Sequence, residues 1–289
     1  MSQPKENYSA KLRAKSMVYF VICIILTLIC LVPIYILIIN ATRKHVDIIS
    51  SVSFIPGSNL AANVKKLLND PMFQFDPFIG FKNSAIIAVG STVLSVFFSA
   101  LTAYGLVVYD FKLRGPAYTF ILVVMMVPMQ VTSVGFLQFM IKLGLSDSFI
   151  PLIVPTIAAP AIVFFMRQYL KSSFPLDIVE AARIDGCGEF RTFLTIAIPM
   201  MKPAIAVQAI FAFIQNWNNF YQPSMILVSR KFEQITMPMM INMLKSNDKI
   251  ADYGVIYAGI ALSIIPVVVI YLLLSRFIVE GVALGGVKE

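Results

Sequence analysis

A run of amide and aromatic side chains interrupts one of the most apolar stretches of the chain. Its members are Gln208, Gln215, Asn216, Trp217, Asn218, Asn219, Phe220 and Tyr221. Amides buried in hydrocarbon without partners cost several kcal/mol each, so this many on one span indicate a wet or ligand-filled path. Amides can hydrogen-bond the hydroxyls of a sugar, and aromatic rings can cover its C–H faces.

We therefore predict a substrate path here. Gln130, in the sequence M-M-V-P-M-Q-V of another span, is added to it, because polar groups at that depth usually face protein or a cavity. The predicted path residues are Gln130, Gln215, Asn216, Asn219, Phe220 and Tyr221. The spacing of Asn216, Asn219, Phe220 and Pro223 predicts that they share one face of a helix. The alternative is that the amides join neighbouring helices and the rings form an aromatic belt at the membrane interface.

The longest charged, amphipathic interruption in the apolar second half covers residues 180–199. Gly186 predicts a left-handed helix stop, because only glycine takes that conformation without strain. A second helix is predicted over 189–198, and Pro199 ends it. The stretch therefore predicts a helix, a glycine turn and a second helix, held at a membrane face.

The elements that position these residues are predicted to be membrane helices. The 289 residues are 58% hydrophobic and 13% charged, with a mean hydropathy of +0.83. Average soluble domains are about 45–50% apolar, so this chain could not cover a water-facing surface. Six uncharged runs are long enough to cross a hydrocarbon layer of roughly 30 Å at about 1.5 Å per residue. These runs are 16–42, 83–109, 115–141, 148–166, 203–229 and 253–275.

The predicted fold class is therefore an all-α membrane protein with six transmembrane helices. Lysines and arginines precede the first helix, which predicts cytoplasmic N- and C-termini. The predicted divisions are a tail over 1–16, the first helix and an outer loop over 17–81, a five-helix core over 82–276 that includes the loop 172–202, and a tail over 277–289. The net charge of +8 is spread between spans, so the basic residues are predicted to contact lipid headgroups and no nucleic acid.

Local signals add smaller predictions. Pro128 should kink the third span, and the prolines at 151, 155 and 160 should bend the fourth. A short helix is predicted over 63–68, and residues 230–252 are predicted to form a second outer loop. His45, the only histidine, is predicted to be a solvated loop residue. The three cysteines show neither a disulfide framework nor metal-ligand spacing, so no metal site is predicted.

The sequence contains no motif that could convert chemical energy. G-x-x-x-x-G-K-S/T, H-E-x-x-H, C-x-x-C and G-x-S-x-G are absent, and no pair of acidic residues lies inside a predicted span. The last point weighs against a proton-driven carrier, which usually needs an ionisable relay in the membrane. A pump without its own energy-converting site must depend on one in a partner.

The charged loop also resembles a known signature. Type-1 permease subunits of ABC importers carry E-A-A, three residues, G, nine residues and I-x-L-P, and Glu180, Gly186, Ile196 and Pro199 stand in that register. Ile198 stands where leucine is usual. The segments F-x-x-R-Q before the loop and G-G-V-K near the end are similar to the carbohydrate branch of the family, close to the maltose-type second permease.

That resemblance implies a type-1 permease fold in the cytoplasmic membrane and a chain that is not itself an enzyme. It implies a second, unlike permease subunit, two ATP-binding subunits that hold ATP and Mg, and an extracytoplasmic solute-binding protein. No cofactor is expected on this chain. The residues implied in ATPase coupling are Glu180, Ala181, Ala182, Arg183, Asp185, Gly186, Ile196 and Pro199, and those of a tail reaching the ATPase are Gly285, Gly286 and Lys288.

Two other classes of function remain open at this point. One is a channel or a secondary carrier that has no ATPase partner. A second, an intramembrane enzyme, is weaker because no catalytic pair is present. The sequence also leaves open which sugar or polar solute is carried, and whether this chain or its partner permease makes most of the contacts.

Overall fold

The computed structural model describes residues 5–229, 231–246 and 252–285, and its side chains over 12–229, 231–245 and 252–275. No strand occurs within these ranges. The helices are α1 Lys5–Ala41, α2 His45–Ser50, α3 Leu60–Asn69, α4 Pro77–Val108, α5 Arg114–Met125, α6 Met129–Lys142, α7 Ile150–Ile153, α8 Pro160–Ser173, α9 Asp177–Ile184, α10 Glu189–Thr192, α11 Ile198–Met200, α12 Lys202–Trp217, α13 Tyr221–Ile226, α14 Met237–Ser246 and α15 Tyr253–Gly285.

Four helical segments are long and apolar enough to cross a membrane: Leu12–Ala41, Pro71–Val108, Ile150–Ser173 and Tyr253–Ser275. Two further pairs pass the same test together but are sharply bent. They are Arg114–Met125 with Met129–Lys142, bent by 93°, and Glu189–Met200 with Lys202–Trp217, bent by 81°. By length and composition the described chain thus has four candidate spans, or up to six if each bent pair is one span.

Prolines interrupt the helix in the third and fourth predicted spans, as the sequence predicts, although the 93° bend in the third is larger than a kink. Pro128 lies between α5 and α6, where its missing N–H and fixed φ of −64° end one helix and begin the next. In the fourth predicted span, α7 passes into a 3₁₀ turn over Val154–Ile157 before Pro160 begins α8. The predicted spans over 115–141 and 148–166 are therefore each made of more than one helical piece.

The chain divides into two compact units. The first contains the residues up to Phe75 together with Leu244–Leu262, and the second contains Asp76–Met243 together with the residues from Ser263. In the first unit, Arg43 is buried and donates to the backbone oxygens of Asp47 and Ser51 at 2.6 and 3.0 Å. The side-chain amide of Asn63 donates to the backbone oxygens of Ala41 and Arg43. These bonds fix the chain just after α1.

Two predictions about the outer segments need correction. His45 begins α2, stacks on Tyr253 with ring centroids 5.3 Å apart, and accepts a 3.1 Å hydrogen bond from the Tyr253 backbone, so it is not a freely solvated loop residue. The predicted loop over 230–252 contains α14, whose Met237 and Met240 are buried. Tertiary packing orders both places. The short helix predicted over 63–68 is confirmed as α3.

The core of the second unit lies around α4, which packs against α8 and α12. Small buried residues on α4, among them Ser91, Ser99 and Ala103, let these helices approach closely. Ser91 also donates to the backbone oxygen of Leu152 at 3.1 Å, within the broken α7 segment. Nearer the start of α4, Asn83 donates to the backbone oxygens of Glu233 and Ile235. These hydroxyls and amides satisfy carbonyls that no regular helix satisfies.

Candidate functional site

The charged loop folds as a helix, a glycine turn and a second helical arm, as predicted, but Pro199 does not end that arm: it lies within α11, and the arm continues to Met200. Its first arm is α9, and the arm ends at Gly186, whose φ of +76° is the left-handed conformation expected there. Cys187 N donates to the oxygen of Ala182 at 2.9 Å, and Gly186 N donates to the oxygen of Arg183 at 3.0 Å. This pair of bonds is a Schellman motif, which satisfies the last carbonyls of α9 and turns the chain sharply.

One face of the hairpin is buried and the other is exposed. Val179, Ala182 and Phe193 point into the core, with exposures of 1%, 6% and 0%. Ile184, at the end of α9, is 86% exposed, and Phe190 on the second arm is 58% exposed. Of the predicted coupling residues, the exposed ones are Glu180, Ala181, Arg183, Asp185, Gly186 and Pro199. Ala182 is buried and Ile196 is half-buried, so these two support the hairpin from within.

An ion pair joins the two arms across the turn. Arg183 Nε lies 2.8 Å from Glu189 Oε1, and the hydroxyl of Tyr109 donates to Glu189 Oε2 at 2.7 Å. Tyr109 is the residue after α4, so the carboxylate connects both arms to the end of that helix. Burial and the bond to Glu189 raise the pKa of Tyr109 to about 12, so it stays a donor at neutral pH.

Sequence reasoning missed the roles of Tyr109 and Glu189. The opposite charges of Arg183 and Glu189 on either side of a glycine turn were a signal for the arm-to-arm pair. Nothing in the sequence pointed to Tyr109, which lies 80 residues earlier in the chain. Its position depends on how α4 packs.

A layer of aromatic rings around Tyr104 also holds the hairpin against α4. The ring of Tyr104 lies with its centroid 5.3 Å from Phe193, 6.2 Å from Phe174 and 6.1 Å from Tyr109. Tyr104 is 2% exposed, and its hydroxyl has no hydrogen-bond partner in the part of the chain described. The layer is therefore tight but leaves one polar atom unsatisfied.

The second arm contains a wider helical turn before it bends. Residues Phe193–Ala197 form a π-turn, in which Ile198 N donates to the oxygen of Phe193 five residues back. Such turns arise where the regular ladder is interrupted, and Pro199 lacks the N–H that would continue it. The arm then bends by 81° into α12. Ile196 and Pro199 therefore lie at the transition from the hairpin to a candidate span.

The polar segment does not form the single helical face that its spacing predicts. Helix α12 ends at Trp217, and α13 begins at Tyr221, so Asn216 lies in the last turn of α12 and Asn219 lies in the break. The side chain of Asn219 accepts from Gln222 N, in the first turn of α13, at 3.2 Å. Asn216 donates to the oxygen of Ala212 at 2.8 Å. Both amides thus make local hydrogen bonds that periodicity alone does not reveal.

The structure brings Gln130 close to Tyr221 through a residue that the sequence did not single out. Ser133 on α6 donates to the backbone oxygen of Gln130 at 2.7 Å, and its hydroxyl lies 2.9 Å from that of Tyr221. The side chains of Gln130, Gln215, Phe220 and Tyr221 are exposed. α6 and α13 thus hold two members of the predicted path together, with hydroxyl and amide groups available.

Trp217 anchors the end of α12 beside this polar segment. Its ring stacks with Phe81 and Phe213 at centroid distances of 6.0 and 5.6 Å, and it is 2% exposed.

The residues predicted to contact the ATPase through the C-terminal tail lie at the end of the described chain. Gly285 is the last residue of α15, whereas Gly286 and Lys288 lie outside the described residues. Over the described ranges no cluster of three metal-ligating side chains is present.

Comparison with known proteins identifies relatives of this chain. Residues 95–283 match the family described as "binding-protein-dependent transport system inner membrane component". The arabinooligosaccharides transport system permease protein AraQ of Bacillus subtilis (strain 168) is 35% identical over 91% of this chain and 92% of its own length. The lactose transport system permease protein LacG of Rhizobium radiobacter is 33% identical over 74% of this chain and 77% of its own length.

One further relative is named for a different solute, and one solved structure has a similar fold. The sn-glycerol-3-phosphate transport system permease protein UgpE of Pectobacterium atrosepticum is 28% identical over 90% of this chain and 93% of its own length. In a crystal structure of a bacterial ABC transporter involved in alginate import, one chain superposes with a TM-score of 0.74. The match covers 96% of this chain and 99% of that one at 23% identity, which shows a shared fold.

Proposed function

Because this chain belongs to the family of binding-protein-dependent transport system inner membrane components, we propose that it is the permease subunit of an ATP-driven sugar importer. It is a multi-pass membrane protein, and we place it in the cytoplasmic membrane with both termini inside. The solute is an oligosaccharide or a related polyol. The proposal on the solute class is supported by the names of the relatives and by the exposed side chains of Gln215 and Phe220 around the break between α12 and α13.

The exposed tip of the hairpin is the observation that carries the proposed coupling. Ile184 is 86% exposed at the end of α9, on a short helix whose opposite face is fully packed. Phe190 on the second arm is also exposed, and several exposed apolar side chains rimmed by charged ones are typical of a surface that binds a partner. Glu180, Arg183 and Asp185 surround it with charges that can pair with the partner's own. We assign the partner as an ATP-binding subunit.

The hairpin therefore transmits force in this proposal. Closure of two ATP-binding subunits moves the hairpin, and the bundle rocks between inward- and outward-open states. ATP and Mg are held by those subunits, and this chain supplies no catalytic group. A second permease subunit, an unlike chain, completes the pathway, and a solute-binding protein delivers the solute from outside. Gln130, Gln215, Asn216, Asn219, Phe220 and Tyr221 remain our proposed path residues, and Gly285, Gly286 and Lys288 our proposed contacts of the tail.

Reconstitution tests the proposal directly. The chain would be purified with its ATP-binding subunits and second permease, placed in liposomes, and supplied with the solute-binding protein. ATP hydrolysis would be measured with arabino-oligosaccharide, maltotriose, lactose and sn-glycerol-3-phosphate. We expect one of the oligosaccharides to stimulate hydrolysis and to enter only when ATP is present. Entry without ATP, or a preparation that holds no ATP-binding subunit, would favour a channel or a secondary carrier instead.

A further inference from the structure

One carboxylate in the hairpin is bonded in two directions. Glu189 Oε1 accepts from Arg183 Nε at 2.8 Å, within the hairpin. Glu189 Oε2 accepts from the Tyr109 hydroxyl at 2.7 Å, outside it. The first contact sets the distance between the two arms, and the second ties the pair of arms to the end of α4. The two contacts therefore have different mechanical consequences.

The end of α4 is itself held rigidly at this point. Arg114 donates to the backbone oxygens of Leu106 and Val107 at 2.8 and 3.2 Å, so it satisfies carbonyls that the helix end would leave free. The buried Tyr104 packs against Phe193 of the second arm. The hairpin thus meets α4 at two places, through an aromatic contact at Phe193 and through a polar contact at Glu189.

α4 leads from this junction toward the polar segment. The helix has 32 residues and is therefore about 48 Å long. Near its other end, Phe81 stacks on Trp217, the last residue of α12. The next residues, Asn218 to Phe220, form the break that contains Asn219 and Phe220 of the proposed path. A rotation of α4 at the hairpin would therefore act on the end of α12 through one continuous helix.

We propose that Glu189 and Tyr109 form a joint that makes the hairpin and α4 move together, so that both are positioning residues for transport. This inference rests on the proposed function and goes beyond it, because neither residue belongs to the surface that we assign to ATPase contact. The joint transmits the movement, and the exposed tip receives it. Loss of the joint should uncouple hydrolysis from transport without detaching the ATPase.

The energetics make the joint testable. The Arg183 and Glu189 side chains are 40% and 45% exposed, and exposed ion pairs contribute little to stability because water screens them. Replacing one of the joint residues should therefore leave the fold and the assembly intact. Any large effect on transport then reports on the movement, since a merely structural role would also reduce assembly.

The experiment uses Glu189→Gln and Tyr109→Phe in the complete reconstituted complex. Three quantities are measured: copurification of the ATP-binding subunits, basal ATP hydrolysis, and solute entry per ATP hydrolysed. The solute is whichever of arabino-oligosaccharide, maltotriose, lactose and sn-glycerol-3-phosphate the wild-type complex takes up. Tyr271→Phe is the matched control, because Tyr271 is exposed on α15.

We expect both joint variants to keep copurification and basal hydrolysis within about twofold, and to lose at least about fivefold in entry per ATP. The control should behave as the wild type in all three. Unchanged entry per ATP would overturn the joint while leaving the proposed function intact. Lost copurification would also overturn it, because Glu189 would then only shape the docking surface. If no probe stimulates the wild-type complex, the proposed function itself fails.

Discussion

The indole nitrogen of Trp217 donates a 3.0 Å hydrogen bond to the backbone oxygen of Ser263. This bond joins the last residue of α12 to α15 and fixes the point at which the polar segment begins. The contact is partly buried, and it is the bond that the indole nitrogen of the buried Trp217 makes. The bond therefore helps to hold the end of α12 against α15.

Trp217→Phe should lower the free energy of unfolding by about 0.5–1.5 kcal/mol, because the ring contacts remain while the hydrogen bond to Ser263 is lost. Thermal unfolding in detergent measures the effect. Phe211→Leu is the control, since Phe211 lies on the same helix but is 64% exposed. Equal midpoints for Trp217→Phe and the wild type would show that the bond contributes nothing.

Gly254→Ala should destabilise the chain by about 1–3 kcal/mol, because the new Cβ would lie 2.5 Å from the backbone oxygen of Arg43. That oxygen belongs to the buried network after α1 and cannot move freely. Gly105→Ala is matched, since it is also helical but has no atom within 4 Å of its Cβ position. It should be neutral or stabilising by about 0.5–1 kcal/mol. A similar response at both positions in a thermal unfolding assay would contradict the close packing.

Gly186→Ala should strain the hairpin by about 1–2 kcal/mol, because a residue with a Cβ is forced to a φ of +76°. Gly186→Pro should be more severe, since it also removes the N–H that bonds the oxygen of Arg183. We expect solute-stimulated ATP hydrolysis to fall for both. Gly188→Ala is the control, with a φ of −68° and open space at its Cβ position. Full stimulation in Gly186→Pro would remove the hairpin from the coupling path.

Tyr104→Phe should raise the free energy of unfolding by about 1 kcal/mol, because it removes a buried hydroxyl without a partner in the described structure. Tyr169→Phe should have the opposite sign. The Tyr169 hydroxyl donates to the backbone oxygen of Met200 at 3.3 Å, so its loss leaves that carbonyl unpaired. Thermal midpoints of the two variants are compared in the same detergent. Destabilisation by Tyr104→Phe would mean that the Tyr104 hydroxyl makes a stabilising contact in the protein.

The bond between Asp147 and Ser229 should respond to acid. The backbone N–H of Ser229, 2.8 Å from the Asp147 carboxylate, lowers the pKa of that group below its ordinary value. A lowered pKa in the folded state means that the contact stabilises above the ordinary aspartate pKa of about 4 and is lost as pH falls through the lower value. Asp147→Asn should differ from the wild type in thermal midpoint at pH 6, and the difference should shrink as pH falls below the ordinary aspartate pKa and through the lowered one. A constant difference would exclude this titration.

Local chemistry made some features predictable from the sequence. Gly186 and Pro128 act on their own backbones, so the left-handed turn and the broken third span follow from residue type alone. The hydrophobic runs likewise predict the helical class, since an apolar segment in lipid must satisfy its backbone within a helix. The matching register of Glu180 and Gly186 identified the hairpin before its geometry was known.

Other features depend on contacts between distant segments and were not predictable. The end of α12 has no glycine or proline signal, and it is set by Trp217 against Phe81 and the carbonyl of Ser263. The helical spacing of Asn216 and Asn219 therefore predicted a face that does not exist. α14 was missed although its residues are mostly apolar, and its start is held by distant groups: Asn83 and Ser84 on α4 bond the backbone between Glu233 and Met237.

The turn that ends α9 places a thiol where a reporter could be attached. Cys187 follows Gly186 directly and is half-buried, while the other two cysteines, Cys23 and Cys30, are exposed on α1. Replacing those two by alanine would leave one native attachment point at the tip of the hairpin. A fluorophore there would report in real time whether the proposed ATP-binding subunit contacts the hairpin, so the chain can be made into its own sensor with two conservative changes.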